Sequence, residues 1–238
     1  MTSSPLLIAA FDRALIAFSI DANRYALMHR DLVADLAVGS EYPRSIRLSP
    51  SWRQPLIERF GRAPSTGYVR DYRGTPEPPG LSVGLWRDRL HNLVFPAGWR
   101  PADSLTPAMK RSVFMTTLAA AALCSTGQMS ALVAFANRPL STRTAISDPQ
   151  AFALEVAHNI ERFATLIPFK IECLTFASAV TRTLRALGIP AELVLGIANV
   201  PFAAHAWCQL GDTPLAEISN IHDELAVIFR GSDVAAAA

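Results

Sequence analysis

The first sixty or so residues alternate between short apolar runs and polar breaks. Residues 14–20 form an apolar run that predicts a β-strand, and a second short strand is predicted over 24–28 after a turn at 21–23. Apolar residues recur at helical spacing over 32–37, and a further helix is predicted over 52–60. A hairpin followed by short helices favours a small winged-helix-like module.

Two apolar stretches raise the question of export or membrane insertion. The run over 5–11 has no Lys or Arg before it and is followed directly by Asp12, so it lacks the features of an export signal. Residues 112–137 carry no charge over 26 positions, and about 20 apolar residues suffice to cross a bilayer. Because Thr, Ser, Gln and Gly interrupt this stretch, we predict a buried alanine-rich helix or helix pair broken near Gly127. Membrane association is not favoured.

The C-terminal part carries two helical patterns and then a strand-rich pattern. Asp148 and Pro149 are typical of a helix start, and this helix is predicted to run to about Leu166. A second helix is predicted to begin near Cys173 and to end at Gly188. The strands that follow are predicted over 192–197, 203–210 and 214–218. Helices and strands in this order predict an α+β fold.

Charge and composition bear on three questions: the class of partner, the cellular compartment and the domain organisation of the chain. The net charge is only +2, so no general basic field indicates a nucleic acid partner. Three cysteines are too few, and odd in number, for a disulfide framework, which predicts a reducing compartment such as the cytoplasm. A stretch rich in Gly and Pro separates the halves. We therefore predict one domain over 1–75, a linker over 76–105 and a second domain over 106–238.

A thiol and an imidazole form the candidate chemistry of the second domain. Cys173 lies at the predicted start of a helix, where free amides and the helix dipole favour the nucleophilic thiolate. His205 lies on a predicted strand, and alternation places it with Trp207 and Gln209 on one face and Cys208 on the other. A cysteine nucleophile needs such an imidazole to carry its proton. The alternative for a lone cysteine is that it simply packs in the core. A metal site formed by Cys173, His205 and Cys208 is disfavoured, because Cys208 lies on the opposite face of the strand from His205.

The imidazole also needs a third group to orient it, and three residues are candidates. Asp212 lies seven residues along the strand from His205, roughly 20 Å away at the rise of a β-strand, which is too far. Glu217 shares the face of His205 if the intervening turn has an odd number of residues, whereas a two-residue turn would place it on the other face. Asn220 remains open as an amide alternative.

Three stretches of this region carry distinctive motifs: 172–176 (ECLTF), 187–196 (LGIPAELVLG) and 201–207 (PFAAHAW). Together they resemble a known family, the leader peptidases of lasso peptide biosynthesis, within a similarity that runs from about 172 to 229. That family belongs to the transglutaminase-like cysteine protease superfamily, so the resemblance implies a papain-like domain with helices packed on an antiparallel sheet. It also implies Cys173 as nucleophile and His205 as base. The family's third residue is typically Asp, twelve positions after the His, and here that position is Glu217.

Residues 15–36 more faintly resemble the precursor-peptide recognition element that is often fused to this peptidase. In that element the leader peptide adds as a strand to a sheet edge and packs against a helix. The candidate leader-binding residues are Tyr25 and Leu27 on the edge strand, with Leu56, Ile57 and Phe60 on the helix. Ordinary core packing is the alternative for each of them.

The resemblance implies a cysteine endopeptidase that removes the leader from a ribosomally made precursor. It also implies a partner cyclase that closes a macrolactam with ATP, while the chain itself is expected to need no cofactor and no metal. Two alternatives stay open. One is a leader-binding scaffold whose triad is weakened by the exchange to Glu217, and the other is acyl transfer to an amine.

Overall fold

The computed structural model describes residues 6–29, 44–46, 50–61, 67–72, 74–75, 93–141, 146–199 and 202–231. The helix predicted over 32–37 and most of the linker predicted over 76–105 lie outside these residues. The described part has an α+β fold with two sheets, as the sequence predicted.

The N-terminal part forms a five-stranded sheet in the order β3-β2-β1-β5-β4, and β1 and β5 are parallel. Its elements are β1 (Leu6–Ala10), β2 (Ala14–Ser19), β3 (Arg24–His29), β4 (Arg44–Ile46), α1 (Pro50–Phe60) and β5 (Gly67–Asp71). The predicted hairpin is confirmed as β2 and β3, and the predicted helix over 52–60 is confirmed as α1. Strand β1 occupies the apolar run that the sequence analysis weighed only as an export signal.

Strand alternation sends the side chains of this sheet to two different apolar layers. Leu6 and Ile8 face α1 and pack with Leu56 and Phe60. Leu7, Phe11 and Phe18 point the other way and join the core of the C-terminal part. Both faces of β1 and β2 are covered, which explains why these strands are apolar at nearly every position.

The described C-terminal part combines five helices with a four-stranded sheet in the order β8-β7-β6-β9. Its helices are α2 (Pro107–Ser125), α3 (Met129–Ala136), α4 (Pro149–Ala164), α5 (Cys173–Ala186) and the short α6 (Ile221–Glu224). Its strands are β6 (Ala191–Ala198), β7 (Ala203–Leu210), β8 (Thr213–Pro214) and β9 (Ala226–Arg230). Strand β8 is much shorter than the predicted 214–218.

The uncharged stretch over 112–137 forms parts of α2 and α3, which confirms the predicted helix pair. The break comes at Gly127, whose φ of +69° is a left-handed conformation that a side chain would strain. Within the described ranges, no helix is both long enough and apolar enough to cross a membrane.

Helix α5 is the central element of this half, because it contacts α2, α3 and α4 and also β6 and β7. Its predicted apolar face is confirmed, since Ala177, Val180 and Leu184 are fully buried. The helix ends where Leu187 and Gly188 turn the chain, and Gly188 has a φ of +80°. Because this helix is packed against its neighbours along its length, the position of its first residue, Cys173, is set by the core.

The two parts of the chain share one core and are also joined by polar contacts. Arg70 Nη1 and the Tyr72 hydroxyl both donate hydrogen bonds to the carbonyl of Val227 in β9, at 2.9 and 2.7 Å. Strand β1 lies in contact with β9. The N-terminal sheet is therefore held in a fixed position beside the C-terminal sheet.

Candidate active site

Cys173 begins α5 and lines a pocket beside β7. The preceding residue, Glu172, is the N-cap with extended backbone (φ −94°, ψ 170°). The first amides of a helix have no partners within it, and the dipole is positive there, so a thiolate at this position is stabilised. Cys173 is half-buried and is one of three free cysteines. The predicted helix start is confirmed at the residue itself.

His205 and Glu217 line the same pocket as Cys173. His205 is the third residue of β7 and only 8% of it is exposed. Its Nε2 lies 2.7 Å from Glu217 Oε1, and the Glu217 side chain is 17% exposed. Because a carboxylate only accepts, Nε2 carries the proton of this bond, which leaves Nδ1 as the ring nitrogen for a thiol. Cys173, His205 and Glu217 thus line one pocket, and His205 and Glu217 are in direct contact.

The route by which Glu217 reaches His205 differs from the predicted one. The turn between β7 and β8 has two residues, since Leu210 pairs with Thr213 and Gln209 with Pro214. Continued pairing in that register would place Glu217 on the face opposite His205, so the odd-numbered turn on which the expectation for Glu217 is conditional does not form.

The chain reverses the facing of Glu217 by leaving the sheet early. Strand β8 ends at Pro214, and Ala216 adopts a left-handed conformation with φ of +53°. The carbonyl of Ala216 accepts a hydrogen bond from the Val94 amide at 3.0 Å, which anchors this bend. Sequence analysis missed Ala216 because alanine gives no signal for a left-handed conformation.

The other two candidates for the third group lie elsewhere. The Asp212 side chain is 94% exposed in the turn and lies 3.6 Å from Arg230. Asn220 Nδ2 donates to Glu224 Oε1 at 3.1 Å. Glu217 is thus the candidate that contacts the imidazole.

The surroundings of His205 favour its protonated form. Burial alone would lower the pKa of His205, and this is the largest single influence. The hydrogen bonds and negative charges of Cys173 and Glu217 together outweigh it and raise the pKa of His205 to about 10. An imidazolium next to Cys173 is the partner that a thiolate nucleophile needs.

An open stretch of strand edge explains how groups from both faces of β7 line one pocket. Strand β8 pairs with β7 at 209 and 210, and the Leu215 amide donates to the Cys208 carbonyl at 2.9 Å, so within the described residues the first half of β7 has no strand beside it on this edge. Ala206 and Cys208 reach the pocket from the α5 side, and His205 and Trp207 from the other. Burial raises the pKa of the Cys208 thiol to about 12, so this cysteine stays protonated.

Trp207 packs beside the His205 ring, and the absence of a side chain at Gly196 leaves space for the Trp207 ring. The rings of His205 and Trp207 are nearly parallel, 6.3 Å apart, and Trp207 Nε1 donates to Gln209 Oε1 at 3.3 Å. A Cβ atom at Gly196 would come within 2.8 Å of the Trp207 ring. A glycine inside a strand often marks such a close approach, so this signal was present in the sequence.

Comparison with known proteins assigns the family. The family model described as "Transglutaminase-like superfamily" matches residues 86–230, which is more than half of the chain. The matched range includes Cys173, His205 and Glu217. The chain belongs to this superfamily. The transglutaminase-like region therefore begins in the segment before α2 and ends with β9, and β1 to β5 lie outside it.

A curated relative gives a more specific likeness over a short stretch. The chain is 38% identical over 60 residues to the microcin J25-processing protein McjB of Escherichia coli. This match covers 25% of the chain and 29% of the relative, so the chain spans less than a third of the protein that it matches. No solved structure shows a significant match to the chain.

The predicted leader-binding residues outside the transglutaminase-like region do not form one groove. Tyr25 and Leu27 project from the face of β3 toward Phe18, whereas α1 packs on the opposite face. Leu56 and Phe60 are buried in that second layer. Ile57 is half-buried. The strand and helix candidates therefore lie on opposite faces of the sheet, because alternation along β3 points Tyr25 and Leu27 away from α1.

The described residues also include no group of three or more His, Cys, Asp or Glu side chains that could hold a metal ion.

Proposed function

We propose that the chain is a cysteine endopeptidase in which Cys173 is the nucleophile, His205 the general base and acid, and Glu217 the group that orients the imidazole. The 2.7 Å contact between His205 Nε2 and Glu217 Oε1, in the pocket that Cys173 lines, carries this proposal. Thiol, imidazole and carboxylate in this order are the parts of a cysteine protease triad.

The reaction follows from these positions. The Cys173 thiolate attacks the scissile carbonyl, and the oxyanion that forms accepts a hydrogen bond from the Cys173 amide at the start of α5. The His205 imidazolium gives its proton to the leaving amine, and the neutral imidazole then takes a proton from the water that releases the acyl-enzyme. Glu217 stabilises the imidazolium and holds the ring so that Nδ1 faces the sulfur.

We further propose that the substrate is the leader region of a ribosomally made lasso peptide precursor. The likeness to the microcin J25-processing protein supports this substrate class, although only over a short stretch. Strand β3 lies at an edge of the described N-terminal sheet and offers a place for a leader to add as a strand. An ATP-dependent cyclase acting on the released core peptide is the partner that this role needs, and the cytoplasm is the compartment that supplies precursor and ATP.

The position of Glu217 favours a peptidase over a leader-binding scaffold. A scaffold with a decayed triad would be expected to leave the carboxylate out of reach of the imidazole. Glutamate is one methylene longer than aspartate, and the bend at Ala216 accommodates that length while keeping a short contact. Acyl transfer to an amine would use the same residues and differs only in what accepts the acyl group.

Cleavage of a precursor by matched variants tests the proposal. A synthetic lasso peptide precursor is incubated with an ATP-dependent lasso cyclase, ATP and either the wild type, Cys173→Ala or Cys124→Ala. Cys124 is a half-buried free thiol on α2 outside the pocket lining, so it is the matched control.

We expect the wild type and Cys124→Ala to release the leader with a free carboxyl end and Cys173→Ala to release none. Leader release by Cys173→Ala at the wild-type rate would contradict the proposal. A leader joined to an amine would instead indicate acyl transfer.

A further inference from the structure

Tyr25 links the edge of the N-terminal sheet to the catalytic pocket through a row of aromatic rings. Its ring stacks on Phe18 of β2, with centroids 4.3 Å apart and planes at 17°. Phe202 meets the same ring edge-on, at 5.3 Å and 66°. Phe202 comes directly before β7 and three residues before His205. The outermost ring of the edge strand therefore touches the segment that carries the imidazole.

Tyr25 is also close enough to Cys173 to respond to its charge. Burial of the hydroxyl raises the pKa of Tyr25, and the charge of Cys173 raises it further. The ring geometry points the same way, because Phe202 contacts Tyr25 and precedes His205 by three residues, and His205 lines one pocket with Cys173. A peptide paired with β3 at Tyr25 would thus continue past Phe202 toward the segment that carries His205.

Tyr25 and Phe202 remain partly exposed to solvent although their rings pack against each other. Tyr25 is 37% exposed, Phe202 is 49% exposed and Leu27, two positions along β3 from Tyr25, is 53% exposed. Apolar side chains that served only as core would be buried, and a continuous exposed apolar patch beside a pocket usually receives a ligand. An extended peptide paired with β3 would place every second side chain on this same face.

We propose that Tyr25 and Phe202 form an aromatic subsite that holds an apolar side chain of the substrate peptide a few residues before the scissile bond. This inference rests on the peptidase function proposed above and adds a specificity determinant to it. Tyr25 and Phe202 are positioning residues, since they fix where the peptide lies and touch none of the groups that react. The pair also sets the number of residues between the strand docked on β3 and the bond that is cut.

Peptide probes that capture the nucleophile test the subsite without any knowledge of the natural precursor. The probes are acetylated triglycyl vinyl sulfones in which one glycine at a time is replaced by leucine, together with the all-glycine parent. The thiol of Cys173 adds across the vinyl group, so the protein gains the whole mass of the probe. Rates are measured by intact-mass spectrometry for the wild type, Tyr25→Ala, Tyr25→Phe and Phe202→Ala. Met115→Ala is the matched control, because Met115 is 55% exposed on α2 and outside the pocket lining.

We expect the wild type and Met115→Ala to react at least about tenfold faster when leucine occupies one particular position, a size typical of filling an apolar subsite. Tyr25→Ala and Phe202→Ala should lose most of this preference, measured for each variant as the ratio of its rate with the leucine probe to its rate with the all-glycine parent. Tyr25→Phe should keep the preference, since the ring is retained.

An unchanged preference in both alanine variants would overturn the subsite, and so would a wild type that shows none. A wild-type Cys173 that no peptide probe modifies would instead contradict the peptidase proposal itself, and the subsite with it. The two failures are therefore distinguishable.

Discussion

His205 Nε2 and Glu217 Oε1 lie 2.7 Å apart even though the register of the β7–β8 turn would carry them to opposite faces of the sheet. Their contact depends on the early end of β8 and on the left-handed backbone of Ala216. The third group of the candidate triad is thus positioned by a bend in the chain and not by strand pairing.

The bend at Ala216 is expected to control both stability and activity. Ala216→Gly should leave cleavage intact, because glycine adopts a φ of +53° without strain. Ala216→Val should lower the free energy of unfolding by about 1–3 kcal/mol, since a β-branched residue is strained in this conformation and the site is buried. Urea unfolding and kcat/KM check both variants. Equal stability of the glycine and valine variants would contradict the role given to this bend.

Substitution of Glu217 should separate the need for a charge from the need for a particular length. Glu217→Gln should lower kcat by about 10²–10⁴, because an amide neither stabilises the imidazolium nor enforces the correct tautomer. Glu217→Asp should lose less, since the charge remains and only the reach is shortened. Steady-state kinetics on the precursor measure both variants. Full activity in Glu217→Gln would exclude Glu217 as the orienting group.

The raised pKa of His205 makes a prediction for stability against pH. The folded value of about 10 is above the usual value of 6.5, so the stabilisation from the imidazolium is fully present below about pH 6.5. That stabilisation is lost as the pH rises through about 10. In Glu217→Gln the pKa of His205 should fall, so the total loss of stability should be smaller and should be complete at lower pH. Urea unfolding between pH 6 and pH 10.5 measures the difference, and identical profiles for the wild type and Glu217→Gln would contradict it.

Gly196 is expected to tolerate no side chain while Trp207 is present. An added Cβ would lie 2.8 Å from the Trp207 ring and 2.9 Å from Leu225 Cβ, so Gly196→Ala should destabilise the fold by about 1–3 kcal/mol. Trp207→Phe removes the closest atoms, and the double variant should therefore be more stable than the sum of the single effects predicts. Strict additivity in urea unfolding would show that the two residues do not collide.

Helix α5 and strand β7 could be predicted to within one residue because each has a strong local pattern. Ala177, Val180 and Leu184 recur at helical spacing before a Gly-Ile-Pro stop, and β7 lies between two turn signals. Cys173 and His205 could be found for the same reason, since both stand at defined positions of these elements.

The remaining features depend on tertiary structure that local patterns do not report. Strand β1 shows no alternation, because Leu7 packs on the shared core while Leu6 and Ile8 pack under α1. The candidate groove with Leu56 and Phe60 was predicted without knowledge of which face of β3 meets α1. Ala216 gives no sign in the sequence that it adopts a left-handed conformation.

The central claim is that Cys173 reacts as a thiolate held beside the His205 imidazolium, and its alkylation rate tests this most directly. Iodoacetamide is added at pH 6, and modification of Cys173 and Cys124 is followed by peptide mass spectrometry in the wild type and in His205→Ala. The account predicts that Cys173 is alkylated at least about ten times faster than Cys124 in the wild type and that His205→Ala removes the difference, because the thiolate is the nucleophile and an ordinary thiol is almost wholly protonated at pH 6. Equal rates for Cys173 and Cys124 in the wild type would contradict it.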